Sequence, residues 1–295
     1  FIYYYSFNKM NKCINKIVIL SSNGGIFDDI IDCTYVLLCC GSNPQREKHV
    51  YTQLKLLNPS KQIILVYNSG YKTCEKTSSP TDDMTQAQLY IFNHALDNDY
   101  KRILYLEDDF FVKKALNPRD IRSICTFIKN HNPSIYGLCN VSLPTLSTLL
   151  SSHQKAFKNI LYLAHAVIYN QKYMKETILF RANNSKEYMT DVVSGYIPNI
   201  ENYRYYKPLI YQTFPPTENQ KISWKTIFPK YLENIGTNTL LAFIKLTNLY
   251  QKEEPGFTLI YLFPFIFYGI IFLLILFLII FIYTKLKLKQ SNTPV

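Results

Sequence analysis

The apolar positions of this chain fall into short blocks that alternate between two periods. Tyr35–Cys40 (YVLLCC) is an unbroken apolar run closed by Gly41-Ser42-Asn43-Pro44, and it predicts a buried strand. Gln45–Leu57 then sets Val50, Leu54 and Leu57 at helical spacing and stops at Asn58-Pro59. Gln62–Tyr67 (QIILVY) repeats the strand signal and ends at Asn68-Ser69-Gly70. After a polar loop, Asp83–Asp97 predicts a second helix with Leu89, Phe92 and Leu96 on one face. Asp82 or Asp83 would cap it, and Gln86 stands three residues past Asp83 as in a capping box. Arg102–Leu106 (RILYL) is a third strand and runs directly into Glu107-Asp108-Asp109. This order predicts βαβ units: an α/β fold with a mostly parallel sheet flanked by helices.

The second half is less regular. Ile135–Val141, Ile160–Tyr169 and Pro208–Tyr211 read as strands, Gln171–Phe180 as a short helix, and Lys225–Tyr250 as a region holding one more helix. Asp28-Asp29 precedes an apolar segment and reads as a helix start. Phe257–Tyr283 carries no charge at all. About 27 residues at ~1.5 Å each would reach about 40 Å, more than the ~30 Å of a bilayer core. A buried core helix would need polar residues on one face. Here only Thr258 and the tyrosine hydroxyls are polar, and they gather towards the ends. The expected organisation is therefore an N-terminal segment (1–34), a main domain (35–250, with halves 35–115 and 116–224), a transmembrane helix (257–283) and a short basic tail (284–295).

The side of the membrane is read two ways. Lys285, Lys287 and Lys289 follow the span, whereas Lys252 before it is balanced by Glu253 and Glu254, which favours a cytosolic tail and a lumenal domain. The start FIYYYSFNKMNKC has too short an apolar run for a signal peptide, and Met10 could be the natural start. The expectation adopted is insertion after synthesis with the main domain cytosolic, a lumenal domain being the alternative.

Composition bounds the partners. With 48% hydrophobic and 18% charged residues, the 295-residue chain can bury a large core, so disorder is not the default reading. The net charge of +11 raises nucleic acid as a partner, but the Lys and Arg are spread out, with no basic helix or zinc knuckle. No nucleic-acid partner is expected; a diffuse positive field suits a membrane surface or a nucleotide phosphate. The seven cysteines are odd in number and form no CxxC pair, so neither a zinc site nor a disulfide framework is expected, and a reducing compartment fits. Two sequons, Asn140-Val141-Ser142 and Asn183-Asn184-Ser185, would matter only for a lumenal domain.

Chemistry concentrates after the third strand. In an open α/β sheet, ligands gather beyond the carboxyl ends of the strands, and RILYLEDDFF puts three carboxylates there between apolar flanks. Crowded anions want a cation, and Mg²⁺ or Mn²⁺ bridging to substrate phosphates is the natural one. The alternative is a turn that merely ends the strand.

The segment QAQLYIFNHALDNDYKRILYLEDDFF resembles the nucleotide-sugar domain of GT-A glycosyltransferases. LAHAVIY (Leu163–Tyr169), MTDVV (Met189–Val193) and KPLIYQ (Lys207–Gln212) are similar in order to the lipopolysaccharide and collagen galactosyltransferases of family 25. YQTFPPTENQKISW resembles glycosyltransferase-like proteins of large DNA viruses. The resemblance spans roughly Tyr35 to Trp224. It implies a metal-assisted transfer of a sugar from a UDP- or GDP-sugar to a glycan, protein or lipid hydroxyl, by an enzyme that the Phe257–Tyr283 span would anchor in a membrane. Asp109 would be the principal metal ligand with Glu107, and Asp108 would contact the ion or the donor ribose. Gly41, Ser42, Arg46 and Asn68 would border the nucleotide, Arg46 being equally readable as a solvated helix residue. Asp191 is the candidate general base, with a helix cap or loop acid as its other reading. Many such enzymes carry a late histidine on the metal; here all five histidines precede Asp191, and Gln212 is one residue that could stand in that region. His165 reads as a core residue or an acceptor contact. A non-catalytic binding or structural protein of the same fold is the competing reading.

Overall fold

The computed structural model describes residues 3–4, 13–39, 44–71, 73–74, 77–138, 152–153, 156–158, 165–184, 193–212, 230, 233–249, 252 and 255–291. Ten strands make one sheet: β1 (Tyr3–Tyr4), β2 (Ile14–Ser21), β3 (Cys33–Cys39), β4 (Gln62–Asn68), β5 (Arg102–Glu107), β7 (Ile135–Gly137), β8 (Ser152–His153), β9 (Ala156–Lys158), β10 (Ala166–Asn170) and β11 (Asn202–Tyr205). Their spatial order is β1-β2-β4-β3-β5-β10-β7-β11-β9-β8, while β6 (Phe110–Phe111) and β12 (Tyr211–Gln212) pair as a separate ribbon. The sheet is mostly parallel: β1, β4, β3, β5, β7, β11 and β8 run one way, and β2, β10 and β9 run against them.

Alternation along the central strands builds two cores. Val36, Leu38, Leu65, Leu104 and Leu106 face one side with Val50, Leu54 and Leu57 of α1 (Pro44–Leu57). Ile124, Phe127 and Ile128 of α3 (Pro118–His131) and Ile244 of α5 (Glu233–Leu246) join that side. Tyr35, Leu37, Val66, Ile103 and Tyr105 face the other. They meet Ala87, Ile91, Phe92 and Ala95 of α2 (Pro80–Asp97), and Tyr173 and Met174 of α4 (Gln171–Asn183). With both faces covered, β3 is apolar from Tyr35 on, which is why it reads as a run rather than an alternation, and the buried Thr34 before it shares a hydrogen bond with Ser60.

Local chemistry sets the helix ends. Ser79, not Asp82 or Asp83, caps α2: its hydroxyl accepts from the Asp82 N–H at 3.0 Å, and Pro80 pre-organises the first turn. α1 and α3 each stop at an Asn in the left-handed region, Asn58 (φ 45°) and Asn132 (φ 44°), whose N–H groups bond Leu54 O and Ile128 O. Each is followed by Pro, which ends the helix. Asp28-Asp29 does not start a helix. It lies in a turn where Asp28 accepts from the N–H groups of Gly25 (2.6 Å) and Lys61 (2.7 Å), tying the entry of β3 to that of β4.

The expectation of no disulfide is corrected. Cys13 and Cys74 are bonded with their Cα atoms 5.3 Å apart, although 61 residues separate them. Because β2 runs antiparallel to β4, the start of β2 lies beside the loop that leaves β4, and sequence spacing alone does not reveal that neighbourhood. β2 itself carries no alternation clear enough to predict, yet Ile14, Ile17 and Val18 are buried. Helix α6 (Gly256–Ser291) contains Tyr268–Lys285, a stretch long and apolar enough to cross a membrane, none of it buried against the domain.

Gly25 packs directly on the backbone before β4: an added Cβ would lie 2.2 Å from Ser60 Cα and 2.6 Å from Pro59 C. Gly25→Ala is therefore expected to lower stability by about 1–3 kcal/mol in urea denaturation. Gly24→Ala, whose Cβ would meet only Asp28 Oδ2 at 3.7 Å, serves as the mild control. Equal midpoints for the two variants would refute the close approach.

Candidate active site

The parallel triplet β4-β3-β5 brings its carboxyl ends to one edge of the sheet, with Cys39 beside Asn68 and Leu37 beside Glu107. Glu107, Asp108 and Asp109 turn off that edge into β6. The antiparallel β10 begins at the same edge, and the Glu107 N–H donates to His165 O at 3.1 Å. Chain direction thus delivers the acid turn, Asn68 and His165 to one rim.

Each carboxylate of the turn meets a different environment. Asp108, only 5% exposed, takes both of its oxygens to the same Arg46 nitrogen of α1, at 2.8 and 2.9 Å. Arg46 is thus the counter-ion of the acid turn rather than a solvated helix residue. Asp109 Oδ2 accepts from Gln212 Nε2 at 2.9 Å across the β6–β12 ribbon. Its other oxygen, Asp109 Oδ1, and Gln212 Oε1 are both buried with no hydrogen-bond partner. Burial and the adjacent Asp108 carboxylate raise the Asp109 pKa to about 7, against the opposing pull of Gln212 and Arg46. Glu107 is half-buried, with the Tyr105 hydroxyl 3.5 Å from its Oε1.

The ribbon is held from outside. His49 donates from Nε2 to Phe110 O at 2.7 Å, and Lys113 lies over the Tyr211 ring at 4.5 Å. His165 is fully buried, donates from Nε2 to Ile210 O at 3.3 Å, and has its pKa lowered by burial to about 4. It is a neutral spacer between β10 and the segment leading to β12. Asn68 is also buried and donates to Asp83 Oδ2 at 2.8 Å, so it joins the first turn of α2 to the rim. Burial raises the pKa of Asp83, and the Asn68 bond partly offsets that rise.

Arg46, Asp108, Asp109, Glu107 and Asn68 thus share one rim, and Gln212 joins them. Gly41, Ser42 and Asp191 lie outside the described residues. Sequence reasoning missed Asp83, whose partnership with Asn68 requires the β4–α2 register. It also missed α3, although Asn117-Pro118 followed by Ile121, Ile124, Cys125 and Ile128 is a capped helical pattern.

The donor chemistry can be tested for a cation. Among the described residues no three His, Cys, Asp or Glu side chains converge as a metal cage. Two buried, unpartnered oxygens, Asp109 Oδ1 and Gln212 Oε1, are hard donors of the kind Mg²⁺ and Mn²⁺ accept. The set suits an ion completed by phosphate oxygens and water, not one enclosed by protein.

Two measurements probe this electrostatics. Arg46→Ala strands the buried Asp108 charge and is expected to cost about 3 kcal/mol in urea denaturation, while Arg46→Met with Asp108→Leu recovers most of it. For Asp109 the folded pKa lies above the unfolded carboxylate value of about 3.9, so the folded chain holds a proton that the unfolded chain has released. That stabilisation is present below about pH 4 and is lost as pH rises through about 7. Wild type should lose stability over this window relative to the non-titrating Asp109→Asn; parallel curves would refute the shift.

No protein-family model matches the sequence, and no curated protein matches it. Among solved structures, a crystal structure of a protein from STIV is similar over 63% of this chain and 86% of its own, with 6% identity and a TM-score of 0.38. A glycosyltransferase involved in the glycosylation of the major capsid of PBCV-1 is similar over 64% of this chain and 98% of its own, with 10% identity and a TM-score of 0.35.

Proposed function

We propose that this chain is a membrane-anchored glycosyltransferase that moves a sugar from a nucleoside-diphosphate sugar to a hydroxyl of a glycan, protein or lipid. The observation that carries this reading is the acid turn at the carboxyl rim of three parallel strands, where Gln212 bonds Asp109 and each keeps one buried oxygen, Gln212 Oε1 and Asp109 Oδ1, without a partner. The rim is where α/β sheets bind ligands. An anionic diphosphate cannot approach three carboxylates unaided, and Arg46 offsets only one of them.

A divalent ion, Mg²⁺ or Mn²⁺, would be held by Asp109 and Gln212, with Glu107 at the margin, and would neutralise charge on the departing diphosphate. Asp108 and Arg46, locked together, orient the turn. Asn68, fixed by Asp83, borders the nucleoside together with Gly41 and Ser42. The acceptor hydroxyl attacks the anomeric carbon, the carbon–oxygen bond to phosphate breaks, and the nucleoside diphosphate leaves. Asp191 is the proposed base that takes the hydroxyl proton. Helix α6 would keep the domain at the surface that carries its acceptor. The Arg46–Asp108 pair also favours a second reading, a binding protein that keeps the fold without turnover, because an internal cation already occupies one acid of the turn.

Incubation of the purified chain with a panel of UDP- and GDP-sugars separates the two readings. With Mn²⁺ present, one donor should be hydrolysed or transferred. Asp109→Ala should lower that turnover by about 10²-fold or more while the circular dichroism spectrum is retained. Mn²⁺ should bind about tenfold or more tightly once UDP or GDP is added, since most ligands come from phosphate and water. Binding without turnover across the panel would favour the binding protein; neither binding nor turnover would end both readings.

A further inference from the structure

Three features that the transfer reaction does not use point to one side of the membrane. The first is the Cys13–Cys74 bond, which closes the start of β2 onto the loop beyond β4 and is itself buried. The Ser69 N–H donates to Cys13 O at 2.8 Å, so backbone pairing already holds the two ends together. Bonds of this kind persist in oxidising compartments and are reduced in the cytosol.

The second feature is the charge around α6. Lys285, Lys287 and Lys289 lie within six residues of Tyr283, whereas Lys252 alone lies within ten residues of Phe257. Lys285 is exposed at the end of the apolar stretch, with Nζ 5.7 Å from the Phe281 ring one turn back along the helix. Lysines concentrate on the cytosolic side of a span, which puts the domain on the opposite side.

The third feature is Asn183, the last residue of α4 and the first of the Asn183-Asn184-Ser185 sequon. It is exposed, and its side chain makes no hydrogen bond among the described residues. Asn184 has already left the helix (φ −129°, ψ 114°), and its own amide is committed to Phe180 O at 2.8 Å. The sequon therefore offers one open carboxamide at a helix end, where the chain turns extended.

We infer that the folded domain lies on the oxidising, non-cytosolic side of the membrane, with the Lys285–Lys289 tail in the cytosol, and that Asn183 is an acceptor of N-linked glycan there. This rests on α6 spanning a membrane, as read above, and not on the chain's own transferase activity. In the modification, Asn183 Nδ2 bonds to the anomeric carbon of an oligosaccharide carried on a polyisoprenoid diphosphate. The carbon–oxygen bond to the diphosphate breaks, the lipid diphosphate leaves, and the amide gives up a proton. In forming the disulfide, the two thiols release two protons and two electrons to a disulfide-bearing oxidant of that compartment.

The test is translation of the full natural chain with endoplasmic-reticulum microsomes, followed by protease protection, endoglycosidase digestion and thiol alkylation with and without reductant. The domain should be protected and should shift on endoglycosidase treatment. Asn183→Gln and Ser185→Ala should each remove one glycan, whereas Asn140→Gln should leave that glycan in place. Cys13 and Cys74 should alkylate only after reduction. A protease-accessible domain, or one whose Cys13 and Cys74 alkylate without reductant, overturns the assignment of side. A protected domain that endoglycosidase does not shift, or a shift that neither Asn183→Gln nor Ser185→Ala reduces by one glycan, overturns the glycan site. Nucleotide-sugar turnover is not read here, so neither result bears on the proposed transfer.

Discussion

Charge crowding at the end of β5 is the constraint around which the rest is arranged. Three consecutive carboxylates leave a strand whose flanks are fully buried, and Asp108 and Asp109 are each compensated by a residue distant in sequence. Asp108 is answered by Arg46 on α1, which fixes where that helix sits against the rim. Asp109 is answered by Gln212, which fixes where the chain returns after β11. The remaining deficit shows as a raised Asp109 pKa and two unpartnered oxygens. By the physics of buried ion pairs, apolar residues of similar volume in these positions would be neutral or stabilising, so the turn is not what holds the fold together.

The neighbouring polar contacts follow the same logic at lower stakes. Asn68 and Asp83 leave one oxygen each without a partner, in a region where a bound group could supply donors. His165, by contrast, is neutral at ordinary pH because burial disfavours its charged form, and it makes a structural link to Ile210. One rim therefore holds polar groups of two kinds: those that complete the fold and those left incomplete by it.

Most of the architecture was legible in sequence because its signals were local. The strands around YVLLCC, QIILVY and RILYL, the two helices between them and the apolar span are all present, with ends shifted by a few residues. Those shifts have physical causes, as where Ser79 and Pro80 start α2 earlier than Asp83 would. β2 was missed because a strand at the margin of the sheet buries only part of its length. The acid turn was legible from its place after a strand, but its partners were not. Arg46 lies 62 residues before Asp108, Gln212 lies 103 after Asp109, and Cys13 lies 61 before Cys74. Such pairings are decided by sheet order and strand direction, which no single segment encodes.

The β6–β12 ribbon, only two residues long in each strand, has a consequence for how the protein is made. Synthesis proceeds from the N-terminus, so β3, β4 and β5 can pair and cover themselves with α1 and α2 long before residue 212 is joined to the chain. Over that interval Arg46 can already hold Asp108, while Asp109 waits without its amide partner. Contacts spanning about a hundred residues close late because loop entropy opposes them. The β4-β3-β5 scaffold can therefore be paired before the Asp109–Gln212 contact closes, and β12 completes the surroundings of the acid turn on a sheet that already stands.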